Sequence, residues 1–391
     1  MTRGRRRDRA ILVPAIGAQL ISSTAMFIVP VLLDALQRGG LQPTTASLLF
    51  SIELVASALT TLLLPTLCPP HSFRRGAVLG GLLAILGNAL TLISPAFLPL
   101  LAARLIAGFG AGIVAAEATM VVARGFDRER LIAAITIASI VNAALWLVLL
   151  PYTVDALGYR GPYVCLLLIC LAGTYLLVRL PSPHLPRTTE RSVRNSPWRA
   201  TWILAAVAIF ATQLGQGAFW SLEETFGAAA GLGPHAIATL LSLVTLLLLA
   251  GAMGVAWAGT RFGRFAPLLV LTGINALSIL AVVMLTHPAV FIAANLVQSV
   301  TNLSSVIYQL GLAASLDRSG RVVAAGTALI TLGNGIGPSL SASLHAAFGI
   351  GSVGLLLLVL NGLAVALYWL VRVRVARGEE PTVAPLASGT N

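Results

Sequence analysis

The chain has 391 residues, of which 57% are apolar and 10% charged, whereas a soluble domain carries roughly 25% charged residues. This composition excludes a soluble globular protein. The formal net charge is +12, but all 25 basic residues are arginines spread between apolar runs, a pattern that argues against a nucleic-acid-binding patch.

Apolar runs of membrane-spanning length follow one another along the chain. A helix needs about 20 mainly apolar residues to cross a bilayer. The first run follows five arginines, but it is too long for the apolar part of a signal peptide, roughly 7–15 residues, so we expect it to be retained as a helix. The twelve predicted spans are 11–33, 45–68, 76–95, 97–123, 131–153, 162–180, 200–222, 236–258, 265–286, 289–313, 322–346 and 350–372.

A long polar segment divides these spans into two sets of six. Residues 181–199 are rich in Pro, Ser and Arg, a composition typical of a flexible linker. The sequence therefore predicts a six-helix bundle over 1–180, a cytoplasmic linker over 181–199, a second six-helix bundle over 200–372 and a tail over 373–391.

The arginines are distributed unevenly between the two sides of these spans. With the N-terminus placed in the cytoplasm, 22 arginines fall on that side, Arg38 and Arg160 fall on the other, and Arg104 lies inside a span. Cytoplasmic loops carry an excess of positive residues. We therefore predict a multi-pass protein of the inner membrane with both termini and the linker in the cytoplasm.

Three local motifs accompany this layout. In the fourth span, Arg104 precedes small residues at Gly108, Gly110 and Gly112. The loop 259–264 reads G-T-R-F-G-R, and residues 333–338 read G-N-G-I-G-P. These resemble the fourth-helix motif, the cytoplasmic "D-R-x-G-R" loop (with Thr in place of its acid) and the glycine-proline bend of the major facilitator superfamily.

The resemblance implies a fold and a function. The implied fold is an all-α membrane protein with twelve transmembrane helices in two six-helix bundles. It is closest in layout to the drug/proton antiporter or sugar-efflux-like branch, although the fifth span lacks the Gly-Pro-rich motif of the antiporters. The implied function is secondary transport by alternating access, and for Arg104 a role in proton coupling.

Ionisable residues inside the spans are candidates for that coupling, because a charge at the bilayer centre costs roughly 2.5–3.5 kcal/mol on insertion scales. Glu53 lies within the second span, and Arg104 and Glu117 lie in the fourth. A buried carboxyl can take up a proton on one side and release it on the other. The alternatives are a permanently protonated structural acid for Glu53 and a structural cation for Arg104. For Glu117 the alternative is contact with the cytoplasmic surface or with an arginine such as Arg124.

Two polar stripes predict the walls of a central cavity. The seventh span places Gln213, Gln216, Trp220 and Glu223 on one helical face. The tenth span places Asn295, Gln298, Asn302, Ser305 and Gln309 on another. The alternative is hydrogen bonding between helices. The predicted substrate-binding residues are Gln19, Asn142, Gln213, Gln216, Trp220, Glu223, Asn302, Gln309 and Asn334.

The sequence thus predicts a monomeric, cofactor-free transporter that exports a small organic solute in exchange for protons. The absence of lysine excludes a phosphate-binding loop for ATP. A proton-linked importer remains the first alternative, and a passive channel is the third option, after a membrane enzyme. A polytopic membrane enzyme is less favoured, because no cluster of His, Asp or Glu lies at one membrane face.

Overall fold

The computed structural model describes residues 2–67, 73–93, 95–122, 128–180, 200–259, 261–316 and 321–377. These residues form fourteen α-helices and no β-strand, which confirms the predicted all-helical membrane fold. In chain order, α1 to α14 are Thr2–Phe27, Val29–Arg38, Pro43–Leu67, Phe73–Thr91, Phe97–Val122, Arg128–Leu157, Arg160–Leu177, Ala200–Ser221, Glu223–Ala229, Pro234–Ala258, Phe265–Met284, Pro288–Leu316, Arg321–Phe348 and Ile350–Ala376.

The helices of the described residues are compatible with twelve membrane crossings. Ten are long and apolar enough to span a bilayer, and α1 with α2 makes one further, bent span. α13 is a continuous helix of 28 residues, but Thr, Ser and Asn side chains lower its apolar character, and it is not among these ten. It coincides with the predicted span 322–346. The short α9 continues from the seventh span.

The first predicted span, 11–33, is broken into two helices that meet at 60°. α1 ends at Phe27, and Pro30 lies in the first turn of α2. Proline has no N–H to donate to the preceding turn, and its ring crowds that turn, so the chain does not continue as one straight helix. The bend places α2 against α8 and α9 of the second set.

Helices α1–α7 pack mainly with one another, as do α8–α14, and the pairs α3–α13 and α6–α10 join the two sets. The limits of the predicted bundles, 1–180 and 200–372, stay a prediction. The predicted linker, 181–199, lies outside the described residues.

The hydrogen bonds of the α3–α13 and α6–α10 pairs, which join the two sets, lie toward the end of the bundle that few arginines occupy. We call it the arginine-poor end, and its loops include 39–42, 158–159, 231–233 and residue 349. Ser339 N of α13 donates to Ser51 Oγ of α3 at 3.2 Å, and Ser242 Oγ of α10 donates to the Ala144 carbonyl of α6 at 2.7 Å. Both bonds lie in the halves of these helices nearer that end.

Glycines allow α8 and α13 to cross closely. Gly333 and Gly337 lie one turn apart on α13, and Gly217 lies on the facing side of α8. A Cβ at Gly337 would overlap the backbone of Ala218, and one at Gly217 would overlap the backbone of Asn334. Small residues at such crossings are typical of membrane helices. They bring the amides of α8 and α13 within hydrogen-bonding distance.

The outward faces of the helices are apolar. Met253 and Trp257 of α10 are each 71% exposed, and Leu98 of α5 is 72% exposed. A soluble protein rarely exposes contiguous apolar surface on this scale. Lipid is the solvent that these faces fit.

Candidate functional site

A buried ion pair joins α3 and α5. Arg104 is 2% exposed and Glu53 is 6% exposed. The Arg104 Nη1 atom lies 3.1 Å from Glu53 Oε2. The two charges therefore neutralise each other in a region from which water is excluded.

The other side of the Arg104 guanidinium is held by α4 and α7. Its Nη2 donates to the Gly87 carbonyl at 3.2 Å, to Asn88 Oδ1 at 3.3 Å and to Thr91 Oγ1. The guanidinium carbon lies 4.8 Å from the centre of the Tyr163 ring, a cation–π distance. Its Nε has no hydrogen-bond partner among the described residues. Four helices thus meet at this one side chain.

Small residues make this meeting possible. A Cβ at Gly108 of α5 would overlap the carbonyl oxygen of Glu53, and one at Gly87 of α4 would overlap the α5 backbone at Ala103 and Ala107. Gly112 packs in the same way against Ser57 of α3. The glycines after Arg104 therefore serve helix packing, which fixes the position of the ion pair.

The ion pair lies beside the interface between the two sets of helices. Ser51, half a turn before Glu53, accepts the backbone hydrogen bond from Ser339. Leu54, the next residue after Glu53, packs against Gly335 of α13. A displacement of α3 at Glu53 would therefore act directly on α13.

Glu117 lies apart from this pair. It is buried, 3% exposed, and packs against Gly76 at the start of α4. It lies about 20 Å farther along α5 than Arg104, at about 1.5 Å per residue. The structure does not bring the third predicted proton-coupling residue to the other two.

A central cavity of about 240 Å³ lies between α1, α6, α8, α10, α12 and α13. Its lining includes Thr136 of α6 and Val306 of α12, both nearer the arginine-rich ends of their helices. The contacts between the two sets, by contrast, lie toward the arginine-poor end. The cavity wall also includes Trp220 of α8 and Asn295 of α12, in the helix halves nearer that end. We call this structure, in which the two sets touch at the arginine-poor end, the closed arrangement.

Six of the nine predicted substrate-binding residues line this cavity: Gln19, Gln213, Gln216, Trp220, Asn302 and Asn334. The other three lie beside it. Asn142 donates to Thr24 Oγ1 at 3.0 Å and accepts from Trp146 Nε1 at 3.0 Å. Glu223 and Gln309 lie behind wall residues, to which they are hydrogen-bonded.

Amide side chains of α8, α12 and α13 bond to one another behind and along the wall. Gln213 donates to Gln309 Oε1 at 3.3 Å and accepts from Asn334 Nδ2 at 3.0 Å. Gln298 Nε2 donates to Gln216 Oε1 at 3.4 Å. The cavity face and the interhelical hydrogen bonds, which the sequence left as alternatives for these stripes, therefore occur together.

Two acids lie where α8 ends and α9 begins, outside the membrane-length helices. Glu223 is fully buried; its Oε2 accepts from Asn295 Nδ2 at 3.3 Å, while its Oε1 has no partner among the described residues. Burial raises the pKa of Glu223 well above its ordinary value, and the Asn295 bond opposes this rise only in part. Burial also raises the pKa of Glu224 to about 7; nearby Asp34 adds to the rise, and Arg38 opposes it.

A charged cluster lies at the arginine-poor end. Arg38 of α2 lies 2.8 Å from Asp34 and 3.7 Å from Asp155 of α6, measured between nitrogen and oxygen. Asp155 lies 3.2 Å from His235 Nε2 of α10, and the His235 ring lies 4.8 Å from that of Tyr152. We call Arg38, Asp155 and His235 the outer latch, because they connect α2 and α6 to α10.

Sequence reasoning missed the α4 partners of Arg104 and the outer latch. Asn88 and Thr91 are two polar residues one turn apart in an otherwise apolar span, which was the available indication. The latch residues had no such indication, because they come from three separate helix ends.

Comparisons with known proteins agree with this architecture. Residues 15–207 match the family model of the Major Facilitator Superfamily. Two crystal structures of the peptide transporter POT are similar in fold. The structure of a mutant of that transporter matches this chain with a TM-score of 0.70 and 14% sequence identity. The structure of that transporter in complex with sulfate matches it with a TM-score of 0.72 and 13% sequence identity. Each alignment covers 94% of both chains. No curated protein matches this chain. The chain therefore has the fold of the major facilitator superfamily.

Proposed function

We propose that this protein is a secondary active transporter that moves a small organic solute across the inner membrane by alternating access, in exchange for protons. The observation that carries the proposal is the buried Glu53–Arg104 pair beside the interface between the two sets of helices. The central cavity between those sets supplies the solute site.

The proposed coupling runs through α3. A proton on Glu53 removes the charge that holds Arg104 Nη1, which weakens the link between α3 and α5. The same turn of α3 contacts α13 through Ser51 and Leu54. Because Asn334, on the same α13 turn, lines the cavity, a movement of α3 against α13 changes the solute site.

We propose export as the direction. This direction rests on the resemblance of the layout to the efflux branch of the superfamily. The distribution of arginines assigns the arginine-rich ends of the helices to the cytoplasm. A solute bound from that side would be released outward after the outer latch opens. Uptake of solute by everted membrane vesicles that stops when an uncoupler is added supports exchange; uptake that continues unchanged indicates a channel.

Glu53→Gln tests the coupling. The amide cannot exchange a proton, so we expect transport driven by a pH gradient to fall at least about 100-fold, while gradient-free exchange of solute across the membrane continues. Both rates are measured on the same proteoliposomes, with a solute found by compound screening.

Glu117→Gln is the matched comparison, because it makes the same change on α5 about 20 Å from Arg104. We expect it to retain driven transport. If driven transport survives in Glu53→Gln and disappears in Glu117→Gln, the proton-coupling residue is Glu117. If driven transport survives in both variants, neither acid couples transport to protons.

A further inference from the structure

The cavity wall carries no ionisable side chain among its described residues. Its polar groups are the carboxamides of Asn and Gln and a few hydroxyls, and the rest of the wall is apolar. Glu223 lies behind the wall, where it accepts the hydrogen bond of Asn295. Arg104 and Glu53 are paired with each other elsewhere.

A wall of this kind discriminates against ions. An ion that leaves water for a poorly polar site loses several kcal/mol of solvation, which only an opposite charge or a dense set of hydrogen bonds restores. Carboxamides supply partial charges but no net charge to balance an ion. The solute that fits is therefore uncharged.

Two wall amides are free to bind such a solute. The side chains of Gln19 on α1 and Asn302 on α12 have no hydrogen-bond partner among the described residues, whereas Gln213, Gln298 and Asn334 are bonded to other amides. Each carboxamide offers a donor and an acceptor. Because α1 and α12 belong to different sets of helices, one solute that binds both connects the two sets.

The apolar part of the wall favours a solute with one apolar face. Trp220, Phe27 and Met26 line the cavity together. Aromatic walls with a few placed polar groups are typical of small-molecule sites, and the cavity of about 240 Å³ lies below the usual range of about 300–1,000 Å³ for drug-sized ligands. The solute is small and amphipathic.

We propose that the cavity binds a small uncharged solute with one apolar face and at least two neutral hydrogen-bonding groups, held between Gln19 and Asn302. This assignment rests on the proposed transport function, because it names the solute class of that transporter.

The test measures binding by the purified full-length protein in lipid nanodiscs, through the rise in its unfolding temperature. The probes are matched sets in which one scaffold carries a neutral, an anionic or a cationic group, such as phenyl glucoside, phenyl glucuronide and phenyl glucosaminide. We expect neutral members to stabilise the protein and their ionised partners to bind at least about tenfold more weakly, about 1.4 kcal/mol.

Asn302→Asp sharpens the test, because it adds one negative charge to the wall. We expect this variant to be stabilised by cationic members that leave the natural protein unaffected. Asn275→Asp on α11 is the control: it makes the same change at a residue that does not line the cavity, and we expect it to keep the preference for neutral members.

Equal or tighter binding of ionised members by the natural protein would overturn the assignment. So would stabilisation by no member of the sets, or a gain of cation binding in Asn275→Asp but not in Asn302→Asp. Binding is measured without a proton gradient. A failure here therefore leaves the Glu53→Gln test of coupling intact, and a failure of coupling leaves this preference measurable.

Discussion

At the scale of single residues, Arg104 of α5 contacts three other helices through one side chain. Its guanidinium bonds to α3 and α4 and stacks on a ring of α7. Arginine suits this position because its planar group presents several donors at fixed angles and stays charged. A neutral or flexible replacement leaves some of these acceptors unpaired.

Arg104→Gln should destabilise the protein strongly. Removing one partner of a buried ion pair leaves the other charge uncompensated and costs about 3–5 kcal/mol. The double variant Glu53→Gln with Arg104→Gln should recover much of this loss, because no buried charge remains. Unfolding of the purified variants in detergent measures both effects.

Arg38→Gln is the control for this cycle, because Arg38 is 42% exposed in its pair with Asp34. Exposed pairs contribute about 0–1 kcal/mol, so we expect a small change. A loss in Arg104→Gln no larger than in Arg38→Gln would contradict the assigned role of the buried pair. A double variant less stable than Arg104→Gln alone would contradict it too.

At the scale of helices, the crossing of α8 and α13 depends on glycine. Gly337→Ala places a methyl group against the Ala218 backbone, so we expect α13 to move away from α8 and the unfolding temperature to fall. The matched control is Gly362→Ala in α14, where a Cβ meets nothing within 4 Å. There we expect unchanged or slightly higher stability, by about 0.5–1 kcal/mol. Equal effects at both positions would show that the crossing tolerates a wider separation.

Membrane-spanning helices can be predicted because lipid offers no hydrogen-bond partners, so the backbone N–H and C=O groups of each span must bond within the helix. Length and apolar composition alone therefore located the spans to within a few residues, for example 236–258 against Pro234–Ala258. The break at Pro30 escaped prediction because proline inside membrane helices is often accommodated. Pro151 of α6 lies inside one continuous helix.

Helical periodicity predicted which face of each polar stripe turns inward, but not which residues meet. Gln213 and Gln309 were placed on separate stripes, and their hydrogen bond depends on how α8 and α12 cross. Asn142 shares the polarity of the wall residues, yet its amide bonds to Thr24 and Trp146. Spacing along one helix contains no information about the neighbouring helix.

At the scale of the whole molecule, the two sets of helices meet at the arginine-poor end through exposed and partly buried charges. Glu224 of α9 lies near Asp34 and Arg38 of α2, so its charge affects the contact between the sets. Its pKa in this closed arrangement is about 7, and opening to water returns the pKa toward its ordinary value of 4.5. The closed arrangement therefore binds this proton more tightly than an open one.

The sign of the pH effect follows from that difference. As the pH rises from 4.5 to about 7, the closed arrangement loses stability relative to the open one, and above about 7 this group adds no further change. Spin labels at Leu157→Cys on α6 and Ala236→Cys on α10, in a cysteine-free background, report the separation. We expect a longer distance to gain population between about pH 5 and about pH 8.

Two variants separate Glu224 from the outer latch. Glu224→Gln is neutral at every pH, so its label distances should stay short across the range. His235 of α10 contacts Asp155 of α6 at 3.2 Å across the same interface, so it has to be tested separately. His235→Gln should keep the pH response if Glu224 causes it. A response that survives in Glu224→Gln and disappears in His235→Gln would assign the pH-dependent closure to the latch.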